Sequence, residues 1–310
     1  MTDRLLVFSN PEVQQLLRER FIPVAANDWY QRRRQDAEGD FFRSVADQGP
    51  RNGNGTRQGH YVLTAGGKLL GYNNNRGPER RLAMIKGSLE KWDALSPNEK
   101  KITVPERGKE DPKFKRSLPK GATVVKDFTR ALEKKDGTLS AAIIDGSTPL
   151  TAVDHLWIKE DEIKELRAVV ASGGELPTRL AQRIARYHLI DNVRGEPRSW
   201  QRSEIKSIEI TLAPGGKVTG SFHIESSDEK LGYKGEITGV IAFGENEKLQ
   251  KFNLLILGEH WGEGQHTREA RPGRSPLGQV FQLTSTDKPE DRIPPQGMHW
   301  EQGYWEAEKH

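Results

Sequence analysis

Residues 205–225, which read IKSIEITLAPGGKVTGSFHIE, decide the fold of the larger part of this chain. Ile205–Leu212 and Val218–Glu225 are strand-like in composition, and Pro214-Gly215-Gly216 lies between them as a turn signal. Apolar and polar residues alternate from Val218 to Ile224, which is typical of a strand with one buried face. The stretch therefore predicts an antiparallel hairpin.

The same pattern recurs towards the C-terminus. Tyr233–Phe243 and Phe252–Gly258 form a second predicted pair of strands around Gly244-Glu245-Asn246. Val280–Thr284 supplies a further predicted strand. These segments belong together in one antiparallel sheet.

Two strands and two helices precede the hairpins. Ala122–Leu132 and Leu139–Ile144 are predicted strands, and Lys159–Ala171 and Pro177–Leu189 have apolar residues at helical spacing. We therefore expect residues 122–310 to form an α+β domain, in which a mainly antiparallel sheet, curled towards a partial barrel, packs against the helices.

Three motifs characterise the first 95 residues. Ser9-Asn10-Pro11-Glu12-Val13 opens a predicted helix, and Arg18-Glu19-Arg20-Phe21-Ile22-Pro23-Val24 leads into a predicted buried strand over Phe21–Ala25. Residues 59–70, GHYVLTAGGKLL, predict a β-hairpin, and Pro78 opens a later helix. In these motifs the segment 1–95 resembles the thioredoxin-like superfamily, which implies an α/β thioredoxin-like domain.

The chain contains no cysteine. Thiol–disulfide exchange needs a cysteine thiolate, so the sequence excludes thiol–disulfide oxidoreductase activity. The resemblance then implies a cysteine-free, non-redox domain that serves as a scaffold or interaction surface. Whether the protein is an enzyme of another class stays open.

The predicted organisation is a domain over residues 1–95, a linker over 96–121 and a domain over 122–310. Residues 1–135 hold 27 Lys and Arg against 17 Asp and Glu, and residues 136–310 hold 21 against 27. The asymmetry fits two domains of opposite charge that attract each other. Nucleic-acid binding through the basic N-terminal half is the weaker alternative, because its basic residues are scattered.

Hydropathy gives no sign of a membrane protein. Mean hydropathy is −0.76, and no apolar run approaches the roughly 18 residues of a membrane span. The apolar run near the N-terminus is too short for a signal peptide. We expect a soluble, cytoplasmic protein without membrane insertion, and export only where a leader has been removed.

Residues 259–266, EHWGEGQH, are the densest group of potential metal ligands. His260, Glu263 and His266 carry ligand atoms suited to a divalent transition metal. One hypothesis is a metal-dependent enzyme in which Glu263 is a ligand or general base, with His223 as a further ligand. The alternative is a glycine-rich turn with solvated histidines.

Arginines at spacings of three follow this group. Guanidinium groups such as those of Arg268, Arg271 and Arg274 can form bidentate hydrogen bonds with a carboxylate or phosphate. Together with Trp261 they form the candidate ligand site. The alternative is an exposed loop with ion pairs. The leading hypothesis is a binding or interaction module for a protein or small molecule.

A serine triad is disfavoured. Ser147, His155 and Asp145 are the residues that would form it, and they lack the G-x-S-x-G elbow. The catalytic residues, if there are any, stay unknown.

Overall fold

The computed structural model describes residues 7–8, 10–53, 55–75, 77–101, 108–143, 151–193, 195, 197–264, 271 and 273–309. The chain divides into two compact units, Asp3–Arg116 and one that comprises Ser117–His310. The boundary thus falls at one peptide bond, whereas the sequence predicted a linker over 96–121. No helix in the described part of the chain has the length and apolar character that spanning a bilayer requires.

The N-terminal unit is mainly helical. Its helices are α1 (Pro11–Arg20), α2 (Asp28–Gln31), α3 (Ala37–Ala46) and α4 (Pro78–Asp93), and its hairpin pairs β1 (His60–Leu63) with β2 (Leu69–Asn73). Side chains cap the N-termini of two of these helices. Asn10 accepts hydrogen bonds from two backbone amides of α1, and Asp36 accepts one from the Gly39 amide of α3.

The predicted buried strand over Phe21–Ala25 is wrong. This segment forms no strand, and Ile22 and Val24 are 92% and 81% exposed. The described residues of the unit contain only the two-stranded sheet. A thioredoxin-like fold for residues 1–95 therefore stays a prediction.

The segment before the second unit is attached to the first one. Asp111 accepts a hydrogen bond from the Gln35 amide at 2.9 Å, and its own amide donates to Asp36 at 2.8 Å. Phe114 is buried against the rings of Trp29 and Tyr30. These contacts explain why the boundary lies after Arg116.

The C-terminal unit is built on a nine-stranded sheet whose pairs are all antiparallel, which confirms the mainly antiparallel sheet and the mixture of helices and strands. The strand order is β4-β3-β11-β10-β9-β8-β7-β6, and β5 pairs with β3. The strands are β3 (Thr123–Lys135), β4 (Thr138–Ala141), β5 (Thr151–Ile158), β6 (Gly174–Glu175), β7 (Ile205–Leu212), β8 (Lys217–Glu225), β9 (Gly232–Phe243), β10 (Leu249–Trp261) and β11 (Ser275–Leu283).

Two helices cover one face of this sheet, which we call the inner face. They are α5 (Glu160–Ser172) and α6 (Thr178–Arg183), and α6 continues as a π-helical turn over Ile184–His188. Leu166 of α5 and Leu180 of α6 pack in one core with inward residues of the strands such as Phe222. The opposite face of the sheet is called the outer face below.

The C-terminal segment closes the β5 side of the unit. It contains the 3₁₀ turns Pro289–Arg292 and Gln296–His299 and the short helix α7 (Glu301–Trp305), and a further 3₁₀ turn, Arg202–Glu204, precedes β7. Tyr304 and Trp305 pack with Val124 and Trp157 in a second apolar cluster.

Candidate functional site

The end of β10 places His260 and Trp261 on opposite faces of the sheet, because strand residues alternate. His260 is 6% exposed, pairs in register with the inward Tyr233, and lies 5.9 Å from it between ring centroids. Trp261 lies on the outer face, where its indole N–H donates to the Glu229 carbonyl at 3.0 Å. The two neighbours therefore do not face one common site.

The predicted metal ligands are not brought together among the described residues. Glu263 is exposed, whereas His260 is buried, and His266 lies outside the described residues. Tyr233 pairs with both His260 and Ile224, so His223, the neighbour of Ile224, lies on the other face from His260. No group of three or more His, Cys, Asp or Glu in the described ranges could hold a metal ion. A metal centre that includes His266 stays a prediction.

The predicted ligand-binding arginines have different surroundings. Arg271 donates to the carbonyls of Leu132 and Pro276, so its guanidinium links β3 and β11. Arg274 stacks on Trp261, with its guanidinium carbon 4.1 Å from the ring centroid. Arg268 lies outside the described residues. Arg271 and Arg274 are thus engaged within the protein.

The serine grouping is described only in part. Ser147 and Asp145 lie outside the described residues, and His155 is 5% exposed. Burial lowers the pKa of His155 and outweighs the raising effect of Asp154. The neutral form of this imidazole is favoured, and the grouping stays untested.

Many arginines of the basic N-terminal half are paired with acids. Arg34 contacts Asp36 at 2.7 Å, and Arg57 contacts Asp47 at 2.7 Å. Arg33 stacks on Trp29, with its guanidinium carbon 4.5 Å from the ring centroid. These charges are locally compensated or stacked, and nucleic-acid binding through the basic N-terminal half stays a prediction.

A buried polar cluster lies on the inner face and was not predicted. Asp127 on β3 and Asp154 on β5 are directly opposite each other, and both are at most 4% exposed. Burial raises the pKa of Asp127 well above its usual value, and the charge of Asp154 adds to the effect. Gln279 on β11 donates to Asp127 at 3.3 Å and to the His188 carbonyl at 2.6 Å.

His188 connects this carboxylate pair to the C-terminal segment. Its Nδ1 lies 3.4 Å from Asp154 Oδ2, and its Nε2 lies 3.1 Å from the Tyr304 hydroxyl oxygen. The Tyr304 oxygen also accepts from the Trp157 amide at 3.2 Å. The Tyr304 hydroxyl is therefore placed to donate to Nε2, whereas His188 Nδ1 and Asp154 Oδ2, although 3.4 Å apart, have no hydrogen-bond partner among the described residues.

The contacts from Asp154 through His188 to Tyr304 have the form of a proton relay, but solvent does not reach His188 or Tyr304. His188 and Tyr304 have no exposed surface. Burial raises the pKa of Tyr304 well above its usual value, so this phenol is a poor nucleophile. The geometry supports a structural network that fixes the C-terminal segment.

The outer face carries a different feature, which we call the apolar row. Four residues stand side by side across four strands: Val153 pairs with Phe128, Phe128 with Val280, and Val280 with Leu255. Val153, Leu255 and Val280 are 42–44% exposed. Thr238, Thr219 and Thr211 continue the line across β9, β8 and β7.

Further apolar side chains widen the row. Leu257 and Val240 flank it and are 37% and 39% exposed. Leu255, Val280, Val240 and Thr238 line an open depression with a volume of about 400 Å³. A contiguous exposed apolar surface on a folded domain is typical of an interaction site.

Comparison with known protein families, curated proteins and solved structures found no match to this chain. A function has to be inferred from the residues of the chain itself. Of the features described above, the apolar row is the one that presents a contiguous apolar surface to solvent.

The sequence contained a signal for this row. An antiparallel strand with one solvated face should alternate, yet Leu254-Leu255-Ile256-Leu257 is apolar at every position. Leu254 and Ile256 point inward, so the continuous run places Leu255 and Leu257 outward. Register across β3, β5 and β11, which local sequence does not define, then aligns the other members.

Proposed function

We propose that this protein is a non-redox binding module that contacts a partner protein through the apolar row of its C-terminal unit. The observation that carries the proposal is the in-register line of Val153, Phe128, Val280 and Leu255 on a solvent-facing sheet. Covering such side chains would remove apolar surface from water, which is the main favourable term in most protein association.

The proposal places binding on the sheet and not on the loop after β10. Arg271 and Arg274 are engaged within the unit, whereas Leu255 and Val280 expose two-fifths of their surface. In the proposal the N-terminal unit is a scaffold or second interaction surface, and a thioredoxin-like fold for it is part of the proposal.

The first experiment measures whether the row accepts an apolar ligand. Nile red, an uncharged dye that fluoresces in apolar surroundings, would be titrated into dilute protein. We expect saturable binding, and we expect Leu255→Gln with Val280→Gln to weaken it by about tenfold, since each substitution puts a polar amide into the contact.

The matched control is Thr219→Gln with Thr211→Gln. These residues are exposed on the same face but outside the apolar row, so the control should bind the dye like the wild type. Equal binding by all three proteins would contradict the proposal. Circular dichroism and thermal unfolding would establish that every variant is folded.

A further inference from the structure

We propose that the partner of the apolar row is a second copy of this chain, packed sheet to sheet about a twofold axis that runs along the row. The inference rests on the proposed function and names the partner of the same surface. Its argument comes from the outward charges of β10.

The outward side chains of β10 form a symmetric series around the row. Leu255 is the central residue, Asn253 and Leu257 are two positions away, and Lys251 and Glu259 are four positions away. Lys251 and Glu259 are both exposed, and Lys234 of β9 stands directly opposite Glu259 in register. The outward face of β10 therefore carries a positive charge at one end and a negative charge at the other.

Two identical faces that pack together must be related by a twofold axis lying in the plane between them. Stacked sheets pack with their strands approximately aligned, which leaves two directions for the axis, along the strands or across them. A twofold axis that runs across the strands, along the apolar row, places each strand antiparallel to the same strand of the second copy. Leu255 then faces Leu255, and Lys251 faces Glu259 of the second copy.

An axis along β10 gives the opposite electrostatic result. Lys251 would face Lys251 and Glu259 would face Glu259, and like charges in an interface suppress association. The charges of β10 therefore select the axis along the row. On β3 this axis opposes Lys126 to Arg130 of the second copy. Asp291 compensates the charge of Lys126, whereas Arg130 is bound only by the uncharged Thr151 hydroxyl, so β3 reduces the preference that β10 gives.

The first test is sedimentation of the full chain over a range of protein concentrations. We expect a reversible rise from the mass of one chain to twice that mass. Leu255→Gln with Val280→Gln should weaken the association by about tenfold or more, since residues at an interface centre carry most of its affinity. Thr219→Gln with Thr211→Gln should weaken it much less.

Charge reversal tests the direction of the axis. Lys251→Glu alone and Glu259→Lys alone each place like charges opposite one another and should weaken the dimer roughly three- to tenfold at low salt. The double variant Lys251→Glu with Glu259→Lys restores opposite charges across the axis and should return the wild-type affinity. A double variant as weak as the singles would overturn the inference.

Cross-linking through an introduced cysteine is specific to that position, because the chain has no cysteine of its own. Facing strands of stacked sheets lie about 10 Å apart, beyond the reach of a disulfide, so a short bifunctional maleimide is used. Leu255→Cys should cross-link to itself. Lys251→Cys should not, but it should cross-link to Glu259→Cys in a mixture of the two proteins.

The outcomes separate this inference from the proposed function. A wild type that stays a single chain while Leu255→Gln with Val280→Gln loses Nile red binding would overturn the dimer and leave the binding surface. If the wild type stays a single chain and the Leu255→Gln with Val280→Gln variant binds Nile red as tightly as the wild type does, both the dimer and the binding surface are overturned. A dimer unaffected by the Leu255 and Val280 substitutions would mean that another surface associates, and would overturn the inference.

Discussion

Asp127 and Asp154 lie directly opposite each other on adjacent antiparallel strands, and both are buried. Two carboxylates cannot both be ionised at low cost in such a place. The pKa of Asp127 is raised by burial and by the charge of Asp154, which favours the protonated form of this carboxyl in the folded state. The relationship has a direct consequence for the pH dependence of stability.

The first prediction concerns Asp127→Asn. Above pH ~4 the unfolded chain ionises Asp127 more readily than the folded chain does, so the wild type loses stability as the pH rises from ~4 towards the raised pKa. The asparagine amide does not ionise in this pH range. As the pH rises from 4 to 7 the variant should therefore gain free energy of unfolding relative to the wild type.

Urea denaturation at several pH values measures this difference. Glu209→Gln, on the exposed outer face, is the control and should show no such relative gain. If the gap between Asp127→Asn and the wild type is the same at pH 4 and pH 7, the proton assignment to Asp127 is wrong.

The second prediction concerns Arg183, whose five N–H groups all have acceptors. It pairs with Glu162 through two bonds of 2.7 and 2.8 Å, and it donates to the carbonyls of Trp157, Tyr304 and Trp305. Arg183→Met would leave Glu162 as an unpaired buried charge. We expect a loss of about 3–5 kcal/mol in free energy of unfolding.

Arg179→Met is the matched control. Arg179 lies one turn earlier on α6 and pairs with Asp161 and Glu165, which are about half exposed. Exposed pairs contribute about 0–1 kcal/mol, so this variant should be nearly as stable as the wild type. Similar losses for both variants, measured by urea denaturation, would refute the assigned role of Arg183.

The hairpin of residues 205–225 was predictable because its determinants are local. Ile205–Leu212 forms β7 with the bounds expected from the sequence, and Gly215 and Gly216 form the turn. Alternation also identified the inward face of β8. Local turn chemistry and strand periodicity are sufficient here, because neither depends on distant residues.

The buried cluster was not predictable, because register brings its members together. Asp127, Asp154, His188 and Gln279 lie on four different segments, and Gln279 is 152 residues from Asp127. The strand over Thr151–Ile158 was itself missed, so no pairing partner for Asp127 was available. No short-range pattern encodes such a meeting.

The third prediction uses two adjacent glycines of the predicted turn. Gly215 and Gly216 have φ angles of 88° and 83°, which favour glycine at both positions. A Cβ on Gly216 would lie 1.8 Å from the Ile241 carbonyl oxygen, whereas a Cβ on Gly215 would meet nothing within 4 Å.

Gly215→Ala should therefore cost only the strain of a positive φ, about 1 kcal/mol. Gly216→Ala adds a backbone clash and should cost about 1–3 kcal/mol more. Thermal and urea unfolding of the two variants checks the order. Equal losses would show that Ile241 does not approach Gly216 as described.

The last prediction tests the segment where the sequence and the structure disagree. A buried strand over Phe21–Ala25 would make Ile22 and Val24 core residues, whereas the structure exposes 92% and 81% of them. Ile22→Ser and Val24→Ser should then change the free energy of unfolding by less than about 0.5 kcal/mol, as surface substitutions usually do. Ile85→Ser, at a position that is 3% exposed on α4, is the control and should lose about 2–5 kcal/mol. Losses at Ile22 and Val24 as large as the loss at Ile85 would favour the thioredoxin-like strand over the exposed segment.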